Sequence, residues 1–167
     1  PQARAAEKDV DVATMHATKK MEEMYIDDGT GSIQMWRIEN FQKVAVPKEQ
    51  YGQLWSGDSF IIMYTYLCHG KECYIIYFWQ GKDSTSDEKG ASALLTTQLD
   101  DDMGGDPVQI RVVQNKEPSH FLKLFKGKLV IHKGGAPSAY KHSNVEFEYE
   151  SEGLFRVRGT SPETTRA

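Results

Sequence analysis

Uncharged apolar runs separated by short polar breaks fill the middle of this chain, and aromatic and β-branched residues dominate them. Two of the runs, SFIIMYTYL and YIIYFWQ, lie almost back to back. The pattern predicts strands over 34–39, 59–66, 74–79, 108–113, 129–132 and 154–157. It predicts helices over 86–103 and about 119–125. The first opens on Ser84, Thr85 or Ser86 as N-cap and closes at Gly104-Gly105. The stretch 15–24 is expected to be partly helical, within an N-terminal linker. Strands interleaved with two helices indicate an α/β sandwich.

At about 100° per residue, Glu88, Ser92, Leu95, Leu99 and Met103 share one stripe of the long helix, which should face the sheet. Leu94 falls on the other side with Gly90, Thr97, Gln98 and Asp101, where a solitary domain favours polar residues. A second anomaly is Gly57-Asp58, which opens the longest uncharged run. A carboxylate at the lip of a buried strand calls for a cationic partner, and Glu88 at the head of the helix poses the same problem. Two such groups brought together suggest a divalent cation.

Composition bounds these readings. A chain of 167 residues, 39% hydrophobic and 11% aromatic, supplies one core of ordinary size, so one domain is expected. No apolar stretch approaches a membrane span, and PQARAAEKD lacks the apolar centre of a signal peptide. A sequence that starts without Met and ends in SPETTRA reads as a piece of a longer chain. The net charge is −4, yet residues 82–106 hold seven acids and two lysines, whereas 118–142 hold five lysines and no acid. The molecule has an acidic and a basic end, and at a pI of about 5.7 nucleic acid is not the expected partner. A two-residue turn at Gly70-Lys71 would set Cys68 opposite Cys73. Two reduced thiols at a hairpin end are favoured there over a cross-strand disulfide, and zinc lacks a fourth ligand.

The segments WRIENFQKVAVPKEQYGQLWSGDSFIIMYTY, YIIYFWQGKDSTSDEKGASALLTTQLDDDMGGDPVQIRVVQNKEPSHFLKLFKGKLVIHKGG and LFRVRG resemble, in order, one repeat of the gelsolin, villin and severin family of actin-regulating proteins. The match runs from about Asp27 to Gly159, and YIDDGTGSIQMWRIE is most similar to repeat four of a six-repeat member. The resemblance implies an α/β, gelsolin-like (ADF-H-related) domain, a central mixed sheet of five or six strands between one long and one short helix. It implies a linker over 1–26, the repeat over 27–159 and the start of the next linker over 160–167. A cytoplasmic, cytoskeletal home follows, although the family also has secreted members.

The resemblance further assigns roles to residues. An intradomain Ca²⁺ site would use the Gly57 carbonyl, the Asp58 carboxylate, both oxygens of Glu88 and the Ala136 carbonyl; hard, irregular oxygen donors suit Ca²⁺. A second Ca²⁺, shared with actin, would take Asp100 and the carbonyls of Gly105 and Pro107, with Asp106 as a departure from some relatives. Gly90, Leu94, Thr97, Gln98 and Asp101 would form the face that enters the cleft between two actin subdomains. Lys123, Lys126, Lys128, His132 and Lys133 resemble the family's phosphoinositide-binding segments. Each assignment has a plainer counterpart. Glu88 completes a capping box with Thr85, Asp58 bonds a loop, the acids end a helix against its dipole, and the lysines blunt a sheet edge.

Three function classes stay open at this level. A Ca²⁺-dependent actin-binding repeat of a severing or capping protein is favoured, with neighbouring repeats as further partners. An enzyme would use Asp58, Glu88 and Asp100 to Asp102 as metal-holding or acid–base groups, but the chain offers no nucleophile constellation, and DDGTGS is too short for a phosphate loop. A spacer repeat without actin affinity is the third.

Overall fold

The computed structural model describes residues 26–135 and 154–167. The expected helical stretch at 15–24 and the Ala136 ligand lie outside them. Among the described residues the strands are β1 (Ser32–Glu39), β2 (Gln42–Ala45), β3 (Gln53–Trp55), β4 (Ser59–Cys68), β5 (Lys71–Gln80), β6 (Val108–Val113) and β7 (Val130–His132). The helices are α1 (Ser86–Asp102) and α2 (Ser119–Leu124). Single 3₁₀ turns occupy Lys48–Gln50 and Pro162–Thr164.

A five-stranded sheet of order β2-β1-β4-β5-β6 forms the centre; β5 and β6 run parallel and the other pairs antiparallel. This is the expected mixed sheet, covered by one helix on each face. Both faces are buried, which is why β4 and β5 read as continuous apolar runs instead of alternating ones. Alternation still sorts the residues. Phe60, Ile62, Tyr64, Ile75, Tyr77 and Trp79 point to one side and pack with Phe121, Leu122, Leu124, Phe125 and Leu129 in an aromatic core under α2. Burying a side chain such as Phe121 fully contributes about 1.5–3 kcal/mol.

The opposite side is thinner. Ile38, Ile61 and Ile76 meet Ala91 of α1, with Leu95 and Leu99 packed at the margin. Between them runs a polar seam. Arg111 Nε donates to Gln80 Oε1 (2.8 Å), and Gln80 Nε2 donates to the Lys89 carbonyl and to Ser92 Oγ (3.1 Å each). Ser92 and Thr96, both fully buried, sit where a larger apolar residue would hold the helix away from the sheet.

The entrance to the domain is fixed by one carboxylate. Asp27 accepts from Tyr64 Oη and from the Gly29 amide (2.9 Å) and meets His120 Nε2 at 2.7 Å, while His120 Nδ1 lies 2.6 Å from Tyr77 Oη. Burial pushes the Asp27 carboxyl up, but the hydrogen bonds from Tyr64, His120 and Gly29 outweigh it and leave the group below its usual range.

Three expectations are corrected. The β4–β5 hairpin turns at His69-Gly70, both with positive φ (51° and 77°), one residue earlier than Gly70-Lys71. Cys68 therefore faces Lys71, Cys73 faces Tyr66, and the free thiols are diagonal neighbours instead of a facing pair. No strand forms at 154–157, where Leu154, Phe155 and Val157 are exposed; the pairing falls instead on Arg158, opposite Arg166. β2 and β3 were not expected. Each is too short to show a period, and β3 is held by a parallel ladder to β7 from far along the chain.

Candidate functional site

α1 starts on Thr85, whose side chain accepts from the Glu88 amide (3.2 Å) while Glu88 Oε2 accepts from the Thr85 amide (3.0 Å), a complete capping box. The first turn carries Asp87 and Glu88, favourable against the helix dipole; the last turn has no basic residue and carries Asp100 to Asp102, which is unfavourable. Gly104 and Gly105, with φ of 81° and 78°, then turn the chain back towards β6.

The sheet-facing stripe lies as expected: Ser92 is buried, Glu88, Leu95, Leu99 and Met103 are half-buried. Gly90, Leu94, Thr97, Gln98 and Asp101 all face outward and are exposed, and Leu94 keeps 61% of its surface in water. At the far end of the same helix Asp100 is partly enclosed. Gln109 Nε2 donates to its Oδ2 (2.6 Å), the Gly105 amide donates to its carbonyl (2.9 Å), and its Oδ1 is buried with no hydrogen-bond partner among the described residues. A carboxylate oxygen so placed is costly unless a cation meets it. Pro107, the other expected contributor beside Gly105, is buried directly beyond the turn.

The loop after β3 gathers a second group. The Gly57 amide donates to the Gly134 carbonyl (2.8 Å), and the Gly134 amide donates to Ser56 Oγ (3.0 Å). The fit is close enough that a Cβ on Gly57 would lie 2.9 Å from the Gly135 nitrogen. Asp58, with its side chain 14% exposed, turns Oδ1 to within 3.4 Å of the Cβ position of Gly135, the residue before Ala136. Its backbone carbonyl accepts from Gly81 (3.0 Å), which ties the loop to the segment leading into Thr85 and Glu88. Gly57, Asp58 and the glycine turn before Ala136 are thus brought together. Arg37 Nη1 lies 3.9 Å from Asp58 Oδ2 and Nη2 bonds Glu39 (2.9 Å), so this lip carboxylate already has a cationic neighbour.

Sequence reasoning missed Arg37, Gln109 and the acid Glu117. An arginine between two large apolar residues, Trp36 and Ile38, and an acid next to Pro118 were signals available in the sequence. Among the described residues no three His, Cys, Asp or Glu side chains gather at one point, and both candidate centres are built from one or two carboxylates and backbone carbonyls. The basic positions are not equivalent. Lys126, Lys128 and Lys133 are exposed and Lys123 is half-buried, but His132 is held by Gln53 Oε1 (2.6 Å) and stacked on Trp55, and burial pulls its pKa below the usual value.

Residues 40–122 match the family model described as Gelsolin repeat. The chain is 48% identical over 163 residues to gelsolin of Xenopus laevis, an alignment covering 94% of this chain and 37% of that protein. It is 46% identical over 160 residues to gelsolin of Gallus gallus, covering 94% and 20%. The chain therefore spans well under half the length of these relatives. Among solved structures, a chain of the Thorarchaeota 2DGel3/rabbit actin complex superimposes with a TM-score of 0.51 at 22% identity, covering 69% of this chain and 53% of that one; the likeness is one of fold. With the Gelsolin repeat model matched over 40–122 and nearly half of its residues shared with two vertebrate gelsolins, the chain belongs to the gelsolin, villin and severin superfamily and carries one gelsolin repeat.

Proposed function

We propose that this domain binds actin through the outer face of α1, in a Ca²⁺-dependent way, as one repeat of a filament-capping or severing protein. The observation that carries the reading is the exposed leucine, Leu94, on a helix face with Gly90, Thr97, Gln98 and Asp101. Small and polar neighbours let a groove approach the helix closely, and the leucine supplies an apolar anchor. A solved relative's description as an actin complex and the family membership support actin as the occupant. This family does not consist of enzymes, so Asp58, Glu88 and Asp100 serve binding and not catalysis.

The Ca²⁺ assignments are supported by donor chemistry. Asp100 Oδ1, buried and unpartnered among the described residues, fits a cation completed by the carbonyls of Gly105 and Pro107 and by a partner's carboxylate. Asp58 beside the Gly57 and Gly134-Gly135 carbonyl-rich turn fits an intradomain ion, with the Ala136 carbonyl and Glu88 as further ligands. Bound Ca²⁺ would relieve the negative charge at the end of α1 and balance the lip carboxylate; Glu88 would share its carboxylate between the ion and the capping box. Phosphoinositide contact through Lys123, Lys126, Lys128 and Lys133 is a subsidiary reading, with neighbouring repeats of the parent chain flanking the domain. A cytoskeletal setting, cytoplasmic or secreted with the parent, follows from the same reading.

The deciding experiment is binding to monomeric and filamentous actin with Ca²⁺ and with chelator. Binding strengthened by Ca²⁺ is expected. Equal absence of binding in both conditions would leave the domain a spacer.

A further inference from the structure

Residues 158–167, of which 160–167 were expected to begin a linker, are fastened to the domain at three levels. Arg158 and Arg166 exchange backbone hydrogen bonds (2.8 Å each), closing the segment on itself around the 3₁₀ turn Pro162–Thr164. The Ala167 amide then donates to the Leu129 carbonyl (3.0 Å), and the Ile131 amide donates to the Ala167 carbonyl (2.7 Å). Thr164 is buried, and Gly127 lets the Pro162 carbonyl pass where any Cβ would lie 2.2 Å from it.

The third level is electrostatic. Glu117 has a fully buried side chain. Its Oε1 accepts from Trp79 Nε1 (3.1 Å) and from the Asn115 amide (3.0 Å), and its Oε2 has no hydrogen-bond partner among the described residues but faces Arg166 Nη2 at 3.3 Å. Removing the arginine leaves an uncompensated carboxylate in the aromatic core, so a docked segment is strongly favoured over a loose one. Docking is an equilibrium, and anything else that orders the same surface biases it.

That surface is β7. Its alternate backbone groups serve two neighbours: Leu129 and Ile131 bond the terminal segment, while Val130 donates to Gly52 (2.8 Å) and His132 accepts from Ser56 (2.9 Å) on the β3 side. Beyond His132 the same chain supplies Gly134 to Gly57, and Gly57-Asp58 is the heart of the proposed intradomain Ca²⁺ site. We propose that Ca²⁺ at Asp58 and docking of residues 158–167 are thermodynamically coupled through the β3–β7 ladder, so that the ion sets how firmly the chain leaving this repeat is held. The inference rests on the intradomain Ca²⁺ reading. Linkage makes it reciprocal: an ion that favours the docked segment is itself bound more tightly when the segment is docked.

The test uses the full chain without actin, with Ca²⁺ alone as the probe. Calorimetric titration of the wild type, Asp58→Asn, Arg166→Gln and Arg166→Lys is paired with hydrogen exchange over 158–167. Calcium is expected to slow exchange in that segment about fivefold or more in the wild type and not in Asp58→Asn, and Arg166→Gln is expected to weaken Ca²⁺ binding by a similar factor. Arg166→Lys, which keeps the charge but not the guanidinium fork, falls between. Wild type that binds Ca²⁺ while 158–167 exchanges at an unchanged rate overturns the coupling, as does a folded Arg166→Gln with wild-type affinity. Wild type that binds no Ca²⁺ removes the intradomain site, and the coupling with it. Because the exchange measurement on the wild type needs no variant, it decides the matter even where Arg166→Gln misfolds.

Discussion

Leu94 offers the sharpest single test, because its neighbour in sequence provides the control. Leu94 keeps 61% of its surface exposed, whereas Leu95 packs against the Ile38, Ile61 and Ile76 cluster. Burying a whole leucine contributes about 1.5–3 kcal/mol, so covering the exposed part of Leu94 in a partner's groove contributes about 1–2 kcal/mol. Leu94→Ala should therefore weaken actin binding roughly 5- to 30-fold by the rule that 1.4 kcal/mol is a factor of ten. It should not weaken the fold, since alanine is the better helix former. Leu94→Asp adds a desolvated carboxylate costing a further ~2 kcal/mol or more, and binding should fall by more than about 100-fold. Leu95→Ala should do the opposite, lowering the melting temperature by several degrees while leaving the docking face unaltered. Titration of labelled actin at saturating Ca²⁺, with circular dichroism melts of each variant, reads both quantities. A folded Leu94→Asp that binds as tightly as wild type would falsify the assignment of this face.

The other expected outcomes are more local. Asp58→Asn should abolish most of the Ca²⁺-induced rise in melting temperature, about 5–10 °C for an ion present at a hundred times its dissociation constant, and differ little from wild type in chelator; equal shifts in both proteins would count against the site. Asp27→Asn should destabilise the domain by about 1–3 kcal/mol near neutrality. The Asp27 carboxyl titrates lower folded than unfolded, so its contribution is complete above the unfolded value near 3.8 and lost as pH falls through the folded one. Denaturant melts at stepped pH should show the gap between the two proteins closing only in that acid window; a gap that closes above pH 5 would mean that another group carries it. Both Cys68 and Cys73 should react with a thiol reagent in the unreduced protein, and reductant should leave stability unchanged. Intact mass showing neither labelled after unfolding would establish a disulfide instead.

Much of this architecture was legible where the signal is local. β4 and β5 show as unbroken apolar runs of strand length, and the N-cap, the Gly104-Gly105 stop and the outward face with Leu94 all follow from local spacing. Pairings across long separations were not legible. The partners of Asp27 at His120, of β3 at β7 and of Glu117 at Arg166 depend on which surfaces the folded sheet brings together, and one carboxylate in the sequence looks like any other. The misplaced hairpin shows the same limit at short range. His69-Gly70 and Gly70-Lys71 are both credible turns, and the choice that keeps Tyr64 opposite Ile75 is made by packing ten residues along each strand. For Asp58, the need for positive charge was readable, but the first cation to meet it is Arg37 from the neighbouring strand.

The polar seam beneath α1 acts as a key that sets the angle of roll of the helix about its own axis. A helix resting only on aliphatic side chains has several nearly equivalent seats on a sheet, reached by stepping one ridge into the next groove. Gln80 removes that freedom: its carboxamide must meet the Lys89 carbonyl and Ser92 while its other end accepts from Arg111, and only one roll angle satisfies all three. An angular error of one residue, about 100°, would turn Leu94 aside and bring a different row of side chains to the docking face. Gln80, buried and without any contact of its own to the outside, thus aims the surface on the far side of the helix.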